Sequence, residues 1–534
     1  MNRTIIYFTA LLFMCSLING QTPPENYKNP IIPGFHPDPS ICRVGDDYYL
    51  VTSSFEWFPG VPIYHSKDLV NWEHIGNVLD RPEQLDLEPG HRHNGGIWAP
   101  TIRYNEGLFY MITTVAGKGN FYVTATNPAG PWSDPVWLKS ARGIDPSLFW
   151  DDDGRCYFTA AANISGSRQW PGQNGCYIQE LDLENKKLIG PRVQMTHGHA
   201  TNARYTEGPH IFKIDGRYFL MVAEGGTGVE HCITVFESDS LLKEFTPSHT
   251  NPIITHRHLG KNYPIGMLGH GDFVETQNGE WWCVMLGRRV KDNLSMLARE
   301  TFLAKVTWED SWPLINEGEG KVLFEGKRPD LPWSPVEPFA IRNDFNKNKL
   351  EPYWNFLRTP QTNWFTLTGE ALTVNLRPEK LTELDNPSMI VRRIQHFNYT
   401  ASTKLTFNSK KSNEEAGLTA FLDNKSHYRL NKKAGVIELI KVEEGNETVI
   451  ASAPYKTKDV VFSVEANMFE FTFKYGEDEN NLQQIGGVQD ARVITAQSFI
   501  GTGFNGPYVG MYASSNGESS KNKAEFDWFE YNAK

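Results

Sequence analysis

The stretch Asp38-Pro-Ser-Ile-Cys-Arg-Val-Gly-Asp-Asp-Tyr-Tyr-Leu-Val51 decides the fold because it recurs along the chain. It consists of an apolar segment, a turn that contains glycine, and an aromatic segment, which is the pattern of a β-hairpin. Four further copies follow at residues 99–112, 145–158, 207–221 and 270–284. The copies begin about 45 to 65 residues apart, a spacing typical of propeller blades with several strands each. The sequence therefore predicts a five-bladed β-propeller.

The residues that open these copies are candidates for a functional site. Asp38, Asp145 and Glu207 open the first, third and fourth copies, and His270 opens the fifth. In a propeller the first strand of each blade runs beside the central axis, so equivalent positions face one another across it. A single acid before Pro or Gly-Pro is typical of a strand or turn cap, but three acids at a matching position favour a shared site. We therefore expect three carboxylates to meet at the axis.

Three carboxylates in one pocket favour the hydrolysis of glycosidic bonds. This reaction needs a carboxylic acid that protonates the leaving oxygen and a carboxylate that activates water or attacks carbon. A third carboxylate raises the proton affinity of the acid by like-charge repulsion. Aromatic residues make up 13% of the chain, and aromatic rings stack on the apolar faces of sugars. The net charge of −11 argues against nucleic acid or an anionic membrane as a partner.

The chain changes its pattern after the fifth copy. Residues 326–340 are rich in proline, which blocks regular strand pairing and is typical of a linker. Residues 341–534 contain alternating strands such as 402–407 and 469–474, separated by polar turns, and this pattern predicts a β-sandwich. Long amphipathic helices are scarce, so we expect an all-β protein with the propeller at residues 21–325.

The first twenty residues have the pattern of a signal peptide. Arg3 precedes an apolar run from Ile5 to Ile18, and Gly20 ends a short segment suited to cleavage. The run is too short for a comfortable membrane span. We expect residues 1–20 to be removed and the protein to be periplasmic or secreted, with no membrane association beyond this segment. Cys15 leaves a lipoprotein as an alternative.

Three motifs resemble the active-site motifs of glycoside hydrolase family 43. They are Phe35-His-Pro-Asp-Pro-Ser40, Gly143-Ile-Asp-Pro-Ser-Leu-Phe149 and Thr206-Glu-Gly-Pro-His-Ile211, and the resemblance covers roughly residues 28 to 325. It implies that Asp38 is the general base, that Glu207 is the general acid and that Asp145 tunes the pKa of Glu207 and orients it. It also implies inversion of the anomeric configuration and no required cofactor.

The same resemblance implies the residues that bind the substrate. Phe55 and Trp98 would be walls of the sugar pocket and Arg299 a donor to substrate hydroxyls, although these residues could also be core aromatics and a surface ion-pair partner. His270 resembles an axial histidine that contacts calcium through water in some members of the family, so a structural calcium is one alternative for it. The last domain resembles the concanavalin-like sandwich of the xylosidase branch, in which an aromatic residue closes the pocket. Phe504 is the candidate for that residue.

A pocket closed in this way implies exo action on one terminal sugar. The leading hypothesis is the release of terminal α-L-arabinofuranosyl residues from plant hemicellulose, such as arabinoxylan or xyloglucan side chains. An exo-β-D-xylosidase acting on xylo-oligosaccharides, or an enzyme with both activities, is the alternative. A non-catalytic carbohydrate-binding propeller and an endo-acting arabinanase remain further readings, and the oligomeric state is left open. In each case the expected partner is a plant cell-wall oligosaccharide.

Overall fold

The computed structural model describes residues 22–164, 166–260, 262–495 and 503–534. The predicted signal peptide at residues 1–20 lies outside these ranges. Regular structure in the described residues is β-strand, apart from two short 3-10 helices at Arg257–Leu259 and Ala491–Ile494. No described helix has the length and apolar character needed to cross a membrane. The predicted all-β class is therefore confirmed.

The first part of the described chain contains strands that begin near the start of each predicted repeat. They are β1 (Asn26–Lys28), β2 (Ser40–Val44), β3 (Asp47–Val51), β4 (Trp57–Phe58), β5 (Gly60–Ser66), β6 (Glu73–Leu79), β7 (Ile97–Asn105), β8 (Leu108–Val115), β9 (Gly119–Ala125), β10 (Val136–Trp137), β11 (Ile144–Trp150), β12 (Cys156–Ala161), β13 (Cys176–Asp182), β14 (Lys187–Thr196), β15 (Glu207–Ile214), β16 (Arg217–Glu224), β17 (Cys232–Ser238), β18 (Thr246–Pro247), β19 (Ile265–Glu275), β20 (Trp281–Arg289), β21 (Glu300–Glu309), β22 (Trp312–Ile315) and β23 (Glu325–Lys327).

Five antiparallel sheets of four strands follow one another along this part of the chain. In order they are sheet 1 (β2-β3-β5-β6), sheet 2 (β7-β8-β9-β10), sheet 3 (β11-β12-β13-β14), sheet 4 (β15-β16-β17-β18) and sheet 5 (β19-β20-β21-β22). The first two strands of every sheet form an antiparallel pair, which confirms the five predicted hairpins. Their turns contain glycines such as Gly216, whose φ of 78° is strained for residues with a Cβ atom.

The first strands of the five sheets contact one another in a closed ring. β2 contacts β7, β7 contacts β11, β11 contacts β15, β15 contacts β19, and β19 contacts β2. Outside the five sheets, β1 pairs with β23 from Asn26↔Lys327 to Lys28↔Glu325 and so joins the segment before sheet 1 to the segment after sheet 5. The predicted domain boundary between residues 325 and 326 falls inside β23. The first two residues of the predicted linker, Gly326 and Lys327, therefore pair with Tyr27 and Asn26.

The second part of the described chain folds as a β-sandwich. Its strands are β24 (Arg342–Asn343), β25 (Phe356–Leu357), β26 (Phe365–Leu367), β27 (Leu372–Asn375), β28 (Ser388–Arg393), β29 (Asn398–Thr406), β30 (Glu415–Asp423), β31 (Ser426–Lys433), β32 (Val436–Glu443), β33 (Asn446–Pro454), β34 (Asp459–Asn467), β35 (Glu470–Gly476), β36 (Gln483–Asp490), β37 (Tyr508–Ser514) and β38 (Lys523–Ala533). One sheet has the order β28-β37-β30-β31-β32-β33. The other has the order β26-β27-β38-β29-β34-β35-β36, with β24 paired to β38. Alternate residues of β29 are buried, as expected for a strand with one face in the core.

The two parts of the chain share a ladder and an apolar core. β4, in the loop between two strands of sheet 1, pairs with β25 through Trp57↔Leu357 and Phe58↔Phe356. The fully buried ring of Trp57 stacks on Tyr508 of β37 with a centroid distance of 3.7 Å. One cluster of buried apolar residues extends from sheets 1 and 2 into the sandwich. This packing brings the segment before β37 next to the ring of first strands.

Candidate active site

In every repeat, a residue within the first strand or two residues before it lies in the left-handed region of backbone space. These residues are Asp38 (φ 55°), Ala99 (φ 38°), Asp145 (φ 53°), Gly208 (φ 62°) and His270 (φ 42°). In sheets 2 to 5 this residue falls where the register of the first hairpin shifts, so the strand is bulged there. A bulge re-aims the neighbouring side chains and is common beside active sites. The four bulged strands and the segment at Asp38 thus converge on one place.

This geometry corrects the predicted register of the fourth repeat. The residue equivalent to Asp38 and Asp145 is Gly208, since all three precede proline, and Glu207 lies one position earlier. Glu207 therefore corresponds to Trp98 and Ile144, which take the last regular pairing before the bulge in sheets 2 and 3. The acid in sheet 4 reaches the axis from a different position than the two aspartates.

The bulges line a pocket at the end of the ring where the first strands begin. Its lining residues are Asp38, Phe55, Trp98, Ala99, Ile144, Asp145, Glu207, Thr227, His270, Arg299 and Phe504. All eight residues selected from the sequence are among them, so the structure brings the three predicted carboxylates together. Ile144, Ala99 and Thr227 were not predicted. Ile144 and Ala99 follow from the repeat alignment, whereas Thr227 lies in the loop between β16 and β17 and has no sequence signal.

Asp38 is held as a carboxylate. Its Oδ1 accepts a hydrogen bond from Arg299 Nη1 at 2.7 Å, and its Oδ2 accepts one from Ser53 Oγ at 2.6 Å. Burial raises the pKa of Asp38, but Arg299, His270 and the Ser53 hydroxyl more than offset this effect, so the pKa lies below its ordinary value. A buried carboxylate that stays ionised and is held by an arginine suits the role of a general base.

Glu207 and Asp145 are two buried acids whose pKa values are raised. Burial, followed by the negative charge of Asp38, raises the pKa of Glu207 to about 7, against the opposing effect of Arg299. Burial, followed by Glu207 and Asp38, raises the pKa of Asp145 well above its usual range, and a hydrogen bond from the Gly208 N–H opposes this shift. Repulsion between the two acids and from the charge of Asp38 thus opposes ionisation of the pair. The pair retains a proton near neutral pH, as an acid catalyst requires.

His270 forms another wall of the pocket. Burial lowers its pKa, the charge of Asp38 opposes this shift, and Arg299 adds to it. The imidazole ring packs against Gly208, where an added Cβ atom would lie 3.0 Å from His270 Cε1. This close approach explains why the fourth repeat has glycine where the first and third have aspartate.

Two aromatic rings and one guanidinium form the opposite wall. Phe504 of the sandwich stacks on Phe55 with a centroid distance of 6.1 Å and an interplanar angle of 24°. Arg299 lies over both rings, with Cζ 5.2 Å from the centroid of Phe55 and 5.6 Å from that of Phe504. Arg299 Nη2 also donates to the carbonyl of Phe504 at 3.1 Å. The sandwich therefore supplies part of the pocket wall.

Further along the same strands, the five sheets meet in a second polar cluster. Asp272 of sheet 5 is fully buried and accepts hydrogen bonds from Ser40 Oγ of sheet 1 and Arg103 Nη1 of sheet 2, both at 2.7 Å. Arg103 Nη2 lies 2.8 Å from His210 Nδ1 of sheet 4 and 3.5 Å from Ser147 Oγ of sheet 3. The guanidinium of Arg103 thus provides the positive charge for Asp272.

The residues around His270 do not fit a calcium site. Calcium binds several oxygen ligands, mostly carboxylates and carbonyls. The nearby carboxylates of Asp38 and Asp272 are each paired with an arginine, Arg299 and Arg103. Among the residues that the structure describes, no group of three or more His, Cys, Asp or Glu side chains is placed to hold a metal.

The arrangement can perform acid–base chemistry on a small polar ligand. A carboxylate held ionised, an acid that keeps its proton near pH 7 and an arginine that can donate hydrogen bonds surround one pocket. These are the groups that glycoside hydrolysis requires.

Comparison with known families gives matches to both parts of the chain. The family model for "Glycosyl hydrolases family 43" matches residues 27–313. The model for "Beta xylosidase C-terminal Concanavalin A-like domain" matches residues 342–532. The first match covers the five sheets and the pocket carboxylates, and the second covers the sandwich, including Phe504.

Individual relatives extend over nearly the whole chain. A protein named "Xylosidase/arabinosidase" from Butyrivibrio fibrisolvens is 41% identical, with 94% of this chain and 98% of the relative covered. A non-reducing end alpha-L-arabinofuranosidase from Bacteroides ovatus is 39% identical, with 95% of both chains covered. The crystal structure of a xylan beta-1,4-xylosidase from Bacillus halodurans superposes with a TM-score of 0.89 at 36% identity, covering 95% of this chain and 100% of that one. Together with the geometry of the pocket, these matches show that the chain belongs to glycosyl hydrolases family 43 and is a glycoside hydrolase.

Proposed function

We propose that this enzyme is an inverting exo-glycosidase that releases terminal α-L-arabinofuranosyl residues from plant hemicellulose. The observation that carries the proposal is the pocket itself, in which Asp38, Asp145 and Glu207 meet beneath a wall completed by Phe504. A pocket closed on one side by two stacked rings admits the end of a chain more readily than its middle. The same closure disfavours an endo-acting arabinanase, which needs an open groove.

In the proposed mechanism the protonated carboxyl group of Glu207 gives its proton to the leaving glycosidic oxygen. The Asp38 carboxylate takes a proton from a water molecule as the water oxygen attacks the anomeric carbon from the opposite face. Asp145 raises the proton affinity of Glu207 by like-charge repulsion and orients it. Arg299 keeps Asp38 ionised, because protonating Asp38 would weaken its charge-assisted hydrogen bond. Arg299, Phe55, Trp98 and His270 bind the terminal sugar.

A β-D-xylosidase activity, alone or beside the first, is the second candidate. It is supported by the names of relatives, which include "Xylosidase/arabinosidase" at 41% identity and a Bacillus subtilis beta-xylosidase at 32% identity. Both pentoses present comparable hydroxyl groups to a short pocket. We keep arabinofuranose as the leading substrate and xylose as the alternative.

The proposal includes the architecture and location of the enzyme. The five sheets would be the blades of a five-bladed β-propeller, which is supported by the closed ring of contacts among their first strands. The catalytic domain would extend from residue 21 to the region of β23, with the sandwich from residue 341. Export to the periplasm or the medium would follow from the leader at residues 1–20. Catalysis would need no cofactor, since the positive charges at the axis are arginines, and we expect full activity after treatment with EDTA.

The test is a product assay on nitrophenyl α-L-arabinofuranoside, nitrophenyl β-D-xyloside, arabinoxylan and linear arabinan. We expect release of pentose from at least one glycoside, and Glu207→Gln to lower kcat by about 1,000-fold while the protein stays folded. Proton NMR of the nascent sugar should show the anomer opposite to that of the substrate. Retention of configuration, or mid-chain cleavage of arabinan without monosaccharide, would overturn the proposal.

A further inference from the structure

The sandwich segment that reaches the pocket consists of residues 503–505. Each of these three residues forms a hydrogen bond with the first part of the chain. Gly503 O accepts a hydrogen bond from Arg288 Nη2 at 3.3 Å, and Phe504 O accepts one from Arg299 Nη2 at 3.1 Å. Phe504 N donates to Asn94 Oδ1 at 3.1 Å. Asn505 Nδ2 donates to Glu56 Oε1 at 2.5 Å. These hydrogen bonds fix the segment in place as part of the pocket wall.

Glu56 is the centre of this set of contacts. It is 1% exposed, and its carboxylate accepts hydrogen bonds from Asn505 Nδ2, from His93 Nδ1 at 2.7 Å and from the Asn94 backbone N–H at 3.1 Å. Burial raises the pKa of Glu56, but His93, Asn505 and Arg358 more than offset this, so the group stays ionised. Removing a buried carboxylate that accepts several hydrogen bonds lowers the free energy of unfolding, and its presence fixes the orientation of its donors.

The position of Glu56 along the chain links it to the pocket wall. Glu56 follows Phe55, and Asn505 follows Phe504, so the two stacked rings are joined one residue later by a hydrogen bond. Glu56 also fixes Asn94, whose side chain receives the Phe504 N–H. The Glu56 carboxylate therefore binds the residue after Phe504 directly and positions, through Asn94, the acceptor of the Phe504 N–H.

The position of Phe504 also affects Asp38, because both residues are hydrogen-bonded to Arg299. Arg299 binds both the Phe504 carbonyl and the Asp38 carboxylate, and its guanidinium lies over the Phe504 ring. A shift of the segment would remove the ring from the sugar and take one hydrogen bond from the arginine. Its main effect would fall on sugar binding, since Arg299 would retain its hydrogen bond to Asp38.

We propose that Glu56 and Asn505 are positioning residues that hold Phe504 over the pocket and thereby set the affinity for the bound terminal sugar. The inference rests on the proposed function in one respect, namely that a single sugar occupies the pocket. Neither residue touches the reacting atoms in this arrangement. Their role is to couple the sandwich to the wall of the site.

The test uses the full-length enzyme and replaces the amide of Asn505 by an isosteric carboxylate. Asn505→Asp turns the donor toward Glu56 into a second negative charge, so the segment is repelled. We expect KM for the nitrophenyl pentoside that the wild type cleaves to rise about tenfold, with a smaller change in kcat. The inhibition constant of the corresponding free pentose should rise by a similar factor. Asn505→Ala, which removes the donor without adding charge, should raise KM in the same direction.

A reversed pair provides the rescue. In Glu56→Gln with Asn505→Asp, the amide of residue 56 can donate to the carboxylate of residue 505, while its oxygen still accepts from the Asn94 N–H. His93 Nδ1, which lies 3.2 Å from Asn505 Nδ2 in the wild type, can then donate to the new carboxylate. We expect KM to return to within about threefold of the wild-type value. The matched control is Asn77→Ala, which removes a different hydrogen bond between the two parts of the chain, from Asn77 Nδ2 to Pro352 O at 3.0 Å. Its KM should not change.

Three outcomes would overturn the inference. They are an unchanged KM in both Asn505 variants, a fall in kcat with KM unchanged, which indicates only a smaller folded fraction, and a reversed pair no better than Asn505→Asp. If Asn505→Asp does not fold, Asn505→Ala and the reversed pair decide the question. A wild-type enzyme that cleaves neither pentoside would refute the proposed function instead, and the two failures are therefore distinct.

Discussion

Replacing Glu207 with its amide, glutamine, should make the protein more stable at alkaline pH. The pKa of Glu207 is raised from 4.5 to about 7 in the folded protein. Below pH 4.5 the group is protonated in both the folded and the unfolded state and costs nothing. Between pH 4.5 and 7 the unfolded state ionises while the folded state keeps its proton, so stability falls, and the full difference is lost once the pH exceeds about 7. At 1.36 kcal/mol for each pKa unit, this amounts to at most about 3 kcal/mol.

Glu207→Gln removes the ionisation and should remove this penalty. At pH 8 we expect the variant to exceed the wild type by up to about 3 kcal/mol, which corresponds to a Tm increase of about 5 °C for a domain of this size. At pH 4.5 the two proteins should melt together. Differential scanning calorimetry at both pH values, at one scan rate, measures the difference.

Two controls separate this effect from a general change of charge. Glu184→Gln alters an exposed residue in the turn between β13 and β14 and should leave Tm unchanged at both pH values. Asp38→Asn should lower Tm at pH 8, because the pKa of Asp38 is depressed and Arg299 would lose its buried partner. The reasoning is refuted if Glu207→Gln melts at or below the wild-type temperature at pH 8.

The remaining predictions concern activity and packing. The pH profile of kcat/KM should fall as the pH rises through about 7, when Glu207 loses its proton, and stopped assays from pH 4 to 9 measure this limb. Arg299→Lys should lower kcat/KM by 100-fold or more, on the order of 3 kcal/mol, because lysine cannot bind the Asp38 carboxylate and the Phe504 carbonyl in one plane, and initial rates measure the loss. Gly208→Ala should destabilise the protein by about 1–3 kcal/mol, since its φ is 62° and its Cβ would press on His270, and a lowered urea midpoint would show it.

Much of the catalytic half can be predicted from the sequence because its signals are local. A strand, a turn with glycine and an aromatic strand lie within about fifteen residues, so the five hairpins and their order follow from the repeat. Asp38 and Asp145 stand immediately before proline, and both have a positive φ. An alignment on the acidic residue rather than on the proline puts Glu207 one position out of register. Aligning Pro209 with Pro39 and Pro146 identifies Gly208 as the equivalent position.

The rest of the site depends on contacts that leave no local pattern. Glu56 and Asn505 are separated by 449 positions, and each is an ordinary polar residue in its own segment. Thr227 lines the pocket from a loop whose path is set by the packing of β16 and β17. Resemblance to a family identified Phe504, but its partners depend on how the sandwich docks on sheet 1. That docking is decided by side-chain packing, which sequence periodicity does not encode.

The pairing of β1 with β23 imposes an order of events on the emerging polypeptide. The segment Asn26–Lys28 leaves the ribosome early, yet its hydrogen-bonding partner at Glu325–Lys327 is made roughly 300 residues later. Until then, the N-terminal strand has an unsatisfied edge that a chaperone or a second nascent chain could occupy. Pairing of β1 with β23 is therefore a late step of folding, which waits until most of the chain has been synthesised.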